Sequence, residues 1–352
     1  MTVRDGQRAD GPPQSGAGVR PTLEAVAALA GVSRGTVSRV INDSPQVSPR
    51  AREAVQKAID ELGFVPNRAA RTLVTQRTDS VALVVSESEE RFFAEPYFAA
   101  VVRGISGGLT GSGMQLLLAV AQSPAEREQL EHYLTGQHVD GVLLVSLHGM
   151  DTLPGQLEAR GVPTVLCGRP LAGQPVACVD ADNRGGARQA VAHLVARGRR
   201  RIAAIRGPAD MTVGQERHAG YLDGLAEARL DADPGLVEPG DFSLDAGAAA
   251  ATALLASRPD LDAIVAASDA MAIGAIRSLR AAGRQVPGDV AVVGFEDSPS
   301  AAHTDPPLTT VHQPVELMGR EMVRMLLTRI SGGIPEESLV ILPTHLVTRD
   351  SA

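Results

Sequence analysis

Arg34, Thr36, Ser38, Arg39 and Asn42, within the run VSRGTVSRVIN, are the residues near the start of the chain best suited to recognition chemistry. Wound as a helix, this run puts Val37, Val40 and Ile41 on one face and Arg34, Gly35, Ser38, Arg39 and Asn42 on the other. Guanidinium groups donate to guanine edges or phosphates, and short hydroxyls and amides complete such a surface. A second set stands later in the chain. Arg169, Arg217, Asp269 and Glu296 offer charged donors and acceptors for hydroxyl groups, while Phe92, Phe93, Tyr97 and Phe98 gather four of the nine aromatic residues into one segment. Aromatic faces stack on the apolar faces of pyranose rings, so the second set suits a polyhydroxylated small molecule as the first suits a nucleic acid. Within the cluster, Phe98 also reads as core of the helix that follows.

Helices must position the first set. Thr22 is an N-cap for a helix through Leu23, Val26, Ala27 and Ala30 that Gly31 ends, and Ser33 caps the helix that carries the arginines. Two short helices joined by a tight glycine turn form the helix-turn-helix unit, whose second helix enters the major groove. Ser48 and Pro49 start a third helix through Val55, Ile59 and Leu62 to Gly63, which lids the first two. A fourth segment, 67–74, is too short to be a stable helix alone. Its Arg68 and Arg71 are basic, Ala69 and Ala70 are small, and Leu73 has no evident core, a composition that fits a helix ordered on DNA with leucine as a minor-groove wedge.

Charge is uneven along the 352 residues: residues 1–80 hold 11 Lys and Arg against 8 Asp and Glu, so a head of +3 precedes a body of −11. A basic head on an acidic body suits a protein that meets nucleic acid at one end. The apolar fraction of 44% allows more than one core. No stretch approaches a membrane span and no signal peptide is evident, which places the protein in the cytoplasm. Cys167 and Cys178 form no CxxC pair and the eight His show no metal-ligand spacing, so neither metal nor cofactor is expected.

After a tail over 1–20 without periodicity and the helical head, apolar strands alternate with helices from Ser80 onward. Strands are expected over 81–86, 115–121, 140–146, 162–168, 176–180, 201–207, 262–267 and 289–294, with helices over 97–110, 124–135, 153–160, 183–197, 214–229, 245–257 and 269–282. Near-continuous apolar strands mean parallel sheets covered on both faces, and their number implies two lobes. Ligands of such sheets bind beyond the carboxyl ends of the strands, which draws in Ser146, Arg169, Ser268 and Glu296. Asp269, beside Ser268, reads equally as a helix N-cap.

The run from Thr22 to Leu73, with its VSRGTVSRVIN core and VPNRAARTL tail, resembles the DNA-binding head and hinge helix of the LacI/GalR family of bacterial transcriptional regulators. That resemblance implies DNA contacts from Arg34, Gly35, Ser38, Arg39, Asn42 and Gln46, and from Asn67, Ala70 and Leu73 on the hinge helix; Thr22, Ser33, Thr36 and Arg68 belong with this set. Gly35 departs from the family by lacking a base-reading side chain, which shifts direct readout onto Arg34 and Arg39. Segments such as CGRP (167–170), ERHAGYLDGL (216–225) and VPGDVAVVGFED (286–297) resemble the family's effector domain. They imply a periplasmic-binding-protein-like fold with parallel sheets, two lobes joined by three crossovers, and Arg217 among the ligand contacts. The implied division is a helix-turn-helix domain over 21–66, a hinge over 67–78 and an effector and dimerisation domain over 79–352. Its first lobe takes about 79–180 and 313–332, its second about 181–312 and 333–348.

FAEPYF (93–98), GQHVDGVLLVSLH (136–148) and CGRP are most similar to the cellobiose-responsive repressors within that family. The expected protein is therefore a homodimeric repressor on palindromic double-stranded operator DNA, released by a small sugar. A nucleobase-dependent corepressor system is the alternative within the family. An α/β enzyme with a regulatory head is the alternative outside it, but no GxGxxG joins a strand to a helix and no Ser-His or Cys-His nucleophile motif is present.

Overall fold

The computed structural model describes residues 21–41, 44–65, 77–121, 123–149, 151–171 and 175–352. The expected tail over 1–20, and Asn42, Asn67, Arg68, Ala70 and Leu73, lie outside the described residues. Contacts divide the chain into two units, one ending at Thr78 and one spanning Asp79–Ala352.

In the first unit, α1 is Leu23–Ala30, α2 is Arg34–Ile41 and α3 is Pro49–Leu62. Each begins where a side-chain oxygen accepts an otherwise unpaired backbone N–H: Thr22 from Ala25 at 3.3 Å, Ser33 from Thr36 at 3.1 Å and Ser48 from Ala51 at 3.3 Å. Gly31 (φ +65°) and Gly63 (φ +60°) end α1 and α3 in the left-handed conformation. Val26, Ala27, Val37, Val40, Val55 and Ala58 form the core, with Leu23, Ala30, Ile41, Ile59 and Leu62 packed against it. Phe64, just past α3, completes that core and was not anticipated from the helical period.

The second unit holds two six-stranded sheets. The first has the order β11-β5-β4-β3-β1-β2, made of Leu339–Leu342, Ala177–Ala181, Thr164–Cys167, Gly141–Val145, Ser80–Val85 and Gln115–Val120. The second has the order β12-β10-β9-β8-β6-β7, made of His345–Val347, Thr309–His312, Ala291–Glu296, Ala263–Ala266, Ile202–Arg206 and Val237–Pro239. Every pairing is parallel except β10 with β12. The central strands are buried on both faces, which is why they read as unbroken apolar runs. The chain passes between lobes three times: after β5, after β10, and between β11 and β12.

Two expectations need correction. The segment 333–348 does not belong to the second lobe alone, because β11 pairs with β5 of the first sheet and β12 with β10 of the second. Residues 89–94, read as a loop leading into a helix, form a short helix capped by Ser88. The 16-residue helix Val315–Ile330, absent from the expected elements, packs its Met318, Met322, Val323 and Leu326 against the first sheet. It crosses the helix Pro96–Leu109 so closely that a Cβ on Gly104 would collide with the Glu316 carbonyl, and one on Gly319 would come within 2.9 Å of Val101 O. These two glycines set the spacing of the pair. Gly104→Ala should therefore cost about 1–3 kcal/mol of overpacking strain, read as a lower urea midpoint at unchanged slope.

Candidate functional site

The outward face of α2 is built as its pattern requires. Val37 and Val40 are buried while Ser33, Arg34, Gly35 and Arg39 are exposed and Thr36 and Ser38 half-buried; Thr22 and Gln46 are exposed as well. Arg34 Nη1 lies 3.2 Å from Glu24 Oε1, which parks the guanidinium beside α1. Thr36 Oγ1 shares a 2.9 Å hydrogen bond with Ser33 Oγ. A Cβ on Gly35 would meet only Ser33 Oγ at 3.7 Å and Arg39 Nη2 at 3.8 Å, ordinary contacts, so packing does not impose the glycine.

The second unit holds a cavity between its lobes, with about 710 Å³ of empty space including its mouth. From the first lobe, Tyr97, Phe98, Ser146, Cys167, Arg169 and Asp180 line it; from the second and the crossovers come Asn183, Arg217, Phe242, Glu296 and Gln313. Arg217 is the anchor. Its guanidinium is 4% exposed, stacks 3.7 Å above the Phe295 ring, and donates from Nε to Asn183 Oδ1 (2.9 Å), from Nη1 to Ala267 O and from Nη2 to Gln313 Oε1 (2.8 Å). Three of its five N–H groups are thereby used, and two make no hydrogen bond to the described residues. Burial pulls its pKa below the ordinary value, although nearby Glu296, at 3.7 Å, opposes this.

A polar relay runs outward from this group. Asn183 Nδ2 donates to Asp180 Oδ1 at 3.0 Å, and Asp180 Oδ2 accepts from Arg169 Nε at 2.7 Å. Arg169 in turn lies 3.4 Å from Glu216 of the helix Thr212–Glu227, so it touches the opposite lobe. Asp180, Asn183, Gln313 and Phe242 were not anticipated. Phe242 follows the three-residue strand β7, too short to mark a strand end, whereas Asp180 and Asn183 flank a strand-to-helix junction that the same rule would have flagged.

The anticipated residues divide. Tyr97, Ser146, Arg169, Arg217 and Glu296 line the cavity. Phe92 does not: it is core of the first lobe, 5.4 Å from the Phe98 ring. Phe93 is 76% exposed and also lies outside the cavity, because a six-residue helix turns it to the surface. Phe98, expected in the core, is buried there and reaches the cavity wall as well. Ser268 and Asp269 are buried away from the cavity. Ser268 caps the helix Asp269–Ala281 and donates to Phe242 O at 3.1 Å, while Asp269 accepts from Ser298 N at 2.6 Å and from Thr310 Oγ1. Their side chains hold together the loops that carry Phe242 and Ser298.

Strain and protonation mark the same cavity. Among the described residues seven non-glycine positions have positive φ, and Ser146 (+62°), Phe242 (+72°) and Glu296 (+111°) line it. Tyr97 Oη lies 3.4 Å from Cys167 Sγ; burial raises both, Tyr97 well above its ordinary value and Cys167 to about 12, so both stay protonated at neutral pH. Burial pushes the Glu296 carboxyl up to about 8 against the pull of Arg217. A carboxyl whose folded pKa is raised adds stability below its unfolded value, near 4.5, that is lost as pH rises through about 8. Glu296→Gln should therefore gain on the wild type between about pH 6 and about pH 9 in parallel urea denaturations, an advantage absent at about pH 4.

Two family descriptions match: bacterial regulatory proteins of the lacI family over residues 22–67, and a periplasmic binding protein-like domain over 191–352. The HTH-type transcriptional regulator CelR of Thermobifida fusca is 58% identical over 335 residues, 94% of this chain and 98% of that protein. Among solved structures, a transcriptional regulator CelR-cellobiose complex is 55% identical with a TM-score of 0.76, covering 95% of this chain and 100% of that one. A lac repressor dimer bound to operator and the anti-inducer ONPF has a TM-score of 0.83 at 28% identity, over 95% and 99% of the two chains. A helix-turn-helix head, a two-lobed body closed on an arginine-floored cavity, and this likeness along nearly the whole chain lead to one conclusion: the chain belongs to the lacI family of bacterial regulatory proteins.

Proposed function

We propose that the protein is a sequence-specific DNA-binding transcriptional repressor, not an enzyme, that a β-linked disaccharide such as cellobiose releases from its operator. The observation that carries this reading is the site of Arg217. It is a buried, ring-stacked guanidinium with two donors to spare, on the floor of a cavity with aromatic walls at Tyr97 and Phe242. Hydroxyl groups that point outward from a sugar ring match donors and acceptors such as Arg217, Arg169, Asp180 and Glu296, while the ring's apolar faces match the aromatics. The likeness to CelR supports cellobiose in particular.

Residues 21–66 would read DNA through Arg34 and Arg39, helped by Thr22, Ser33, Gly35, Thr36, Ser38, Asn42 and Gln46. Residues 67–78, with Asn67, Arg68, Ala70 and Leu73, would be the hinge, and 79–352 the effector and dimerisation domain. The edge strand Gln115–Val120 leaves Leu117 and Leu118 exposed, which suits burial against a second copy on a palindromic operator in the cytoplasm.

A thermal-shift panel of mono- and disaccharides, with nucleobases as controls, tests the reading. Cellobiose at about 100 times its Kd should add about 2.7 kcal/mol of stability and free operator DNA in a gel shift. A shift with a nucleobase alone would overturn it. Arg217→Lys keeps the charge but loses the planar fork, and should weaken sugar binding by about 1.5–3 kcal/mol while operator binding without sugar stays at the wild-type level.

A further inference from the structure

One polar contact across the cleft lies apart from the cavity wall. His148 follows β3 in the first lobe, and its Nδ1 lies 3.0 Å from Asp210 Oδ2 in the second lobe. Its Nε2 lies 3.0 Å from Glu87 Oε1, beyond the end of β1. A neutral imidazole has one N–H and one bare lone pair, so it can satisfy one of these carboxylates only by turning the lone pair on the other. The imidazolium donates to both. Glu87 belongs to the same lobe as His148, whereas Asp210 belongs to the other, so only the second contact spans the cleft.

We propose that His148 is a positioning residue that, once protonated, latches the two lobes together through Asp210, so that sugar binding at the closed cleft is coupled to proton uptake. The sugar half of this statement rests on the function proposed above; the latch itself does not.

The charged surroundings favour the imidazolium. Glu87 also accepts from Arg91 Nη1 at 2.8 Å and from Ser146 Oγ, and Arg91 is shared with Glu95 at 2.7 Å. Asp151 stands in the same loop as His148 with Oδ1 accepting from Leu153 N, and Arg127, Glu128 and Glu131 line the neighbouring groove. Among the described residues, two carboxylates touch the ring itself and no cation does. The hydrogen bond to Glu87, then that to Asp210, raise the imidazole pKa against the lowering effect of burial. Burial raises the Glu87 carboxyl, but His148, Ser146 and Arg91 outweigh it and the net shift is downward. A backbone bond from Gly149 N–H to Asp210 O at 2.7 Å crosses the same gap and is indifferent to pH. The latch therefore tightens a closure that other contacts also support. Because the folded pKa is raised, its contribution is complete at low pH and is lost as pH rises through that raised value.

Titrating the histidine side chains of the full-length protein by NMR decides the latch without any ligand, with His148→Gln supplying the assignment. His148 should titrate above the ordinary imidazole value of about 6.5, and Asp210→Asn should lower it. Asp210→Asn removes only a half-exposed carboxylate and keeps the backbone bond, so it tests the contact without emptying the core. An unchanged His148 titration in Asp210→Asn would overturn the proposal. Calorimetry with cellobiose in two buffers of different ionisation enthalpy then reads the coupling. The wild type should take up protons on binding and lose affinity several-fold from about pH 6 to about pH 8.5, and both effects should shrink in Asp210→Asn and in His148→Gln. Equal proton uptake in all three would likewise sink it. Absence of cellobiose binding at every pH would count against the proposed function alone, since the titration stands by itself.

Discussion

Burying a guanidinium is the constraint around which the effector unit is arranged. An arginine that is 4% exposed must find partners for its donors, because a buried charge left unpaired costs several kcal/mol. Asn183, Ala267 and Gln313 provide them, and they come from three separate parts of the chain: the start of a helix, the end of β8 and the crossover after β10. Two of these parts are themselves passages between the lobes. The charge at the floor of the cavity is thus held by the very segments about which the lobes would move.

That arrangement gives the cavity a mechanical property. From Arg217 the relay passes through Asn183 and Asp180 to Arg169 in the first lobe and returns to Glu216 in the second, so groups that would meet a ligand are also joined to one another across the cleft. A ligand hydroxyl that competes for one member must shift the others. Coupling of this kind is a difference in free energy between two arrangements of the lobes, and a few rigid hydrogen bonds are enough to carry it.

Much of this was legible in the chain. The head could be read from caps and glycines alone, because Thr22, Ser33, Ser48, Gly31 and Gly63 act locally on the backbone beside them. The doubly covered strands showed as apolar runs, and the strand-end rule pointed to Ser146, Arg169 and Glu296, which line the cavity. What escaped depends on distant partners. Whether Asp269 faces a ligand or the protein is decided by Ser298 and Thr310, 29 and 41 residues away. The stripe of Val315, Met318, Met322 and Leu326 has helical period in the sequence, but nothing local says that it lies against Gly104 in the other half of the chain. The split of 333–348 between two sheets is likewise written only in the partners of β11 and β12.

Glu296 holds a backbone angle that glycine would adopt freely, at φ +111°, and it holds it with a carboxyl pushed toward neutrality. Such a residue costs of order 1–3 kcal/mol in conformational strain alone. Substitution by glycine would relieve both burdens and take an acceptor from the cavity at the same stroke. Backbone stability and the polar lining of the cavity thus pull in opposite directions at this one position.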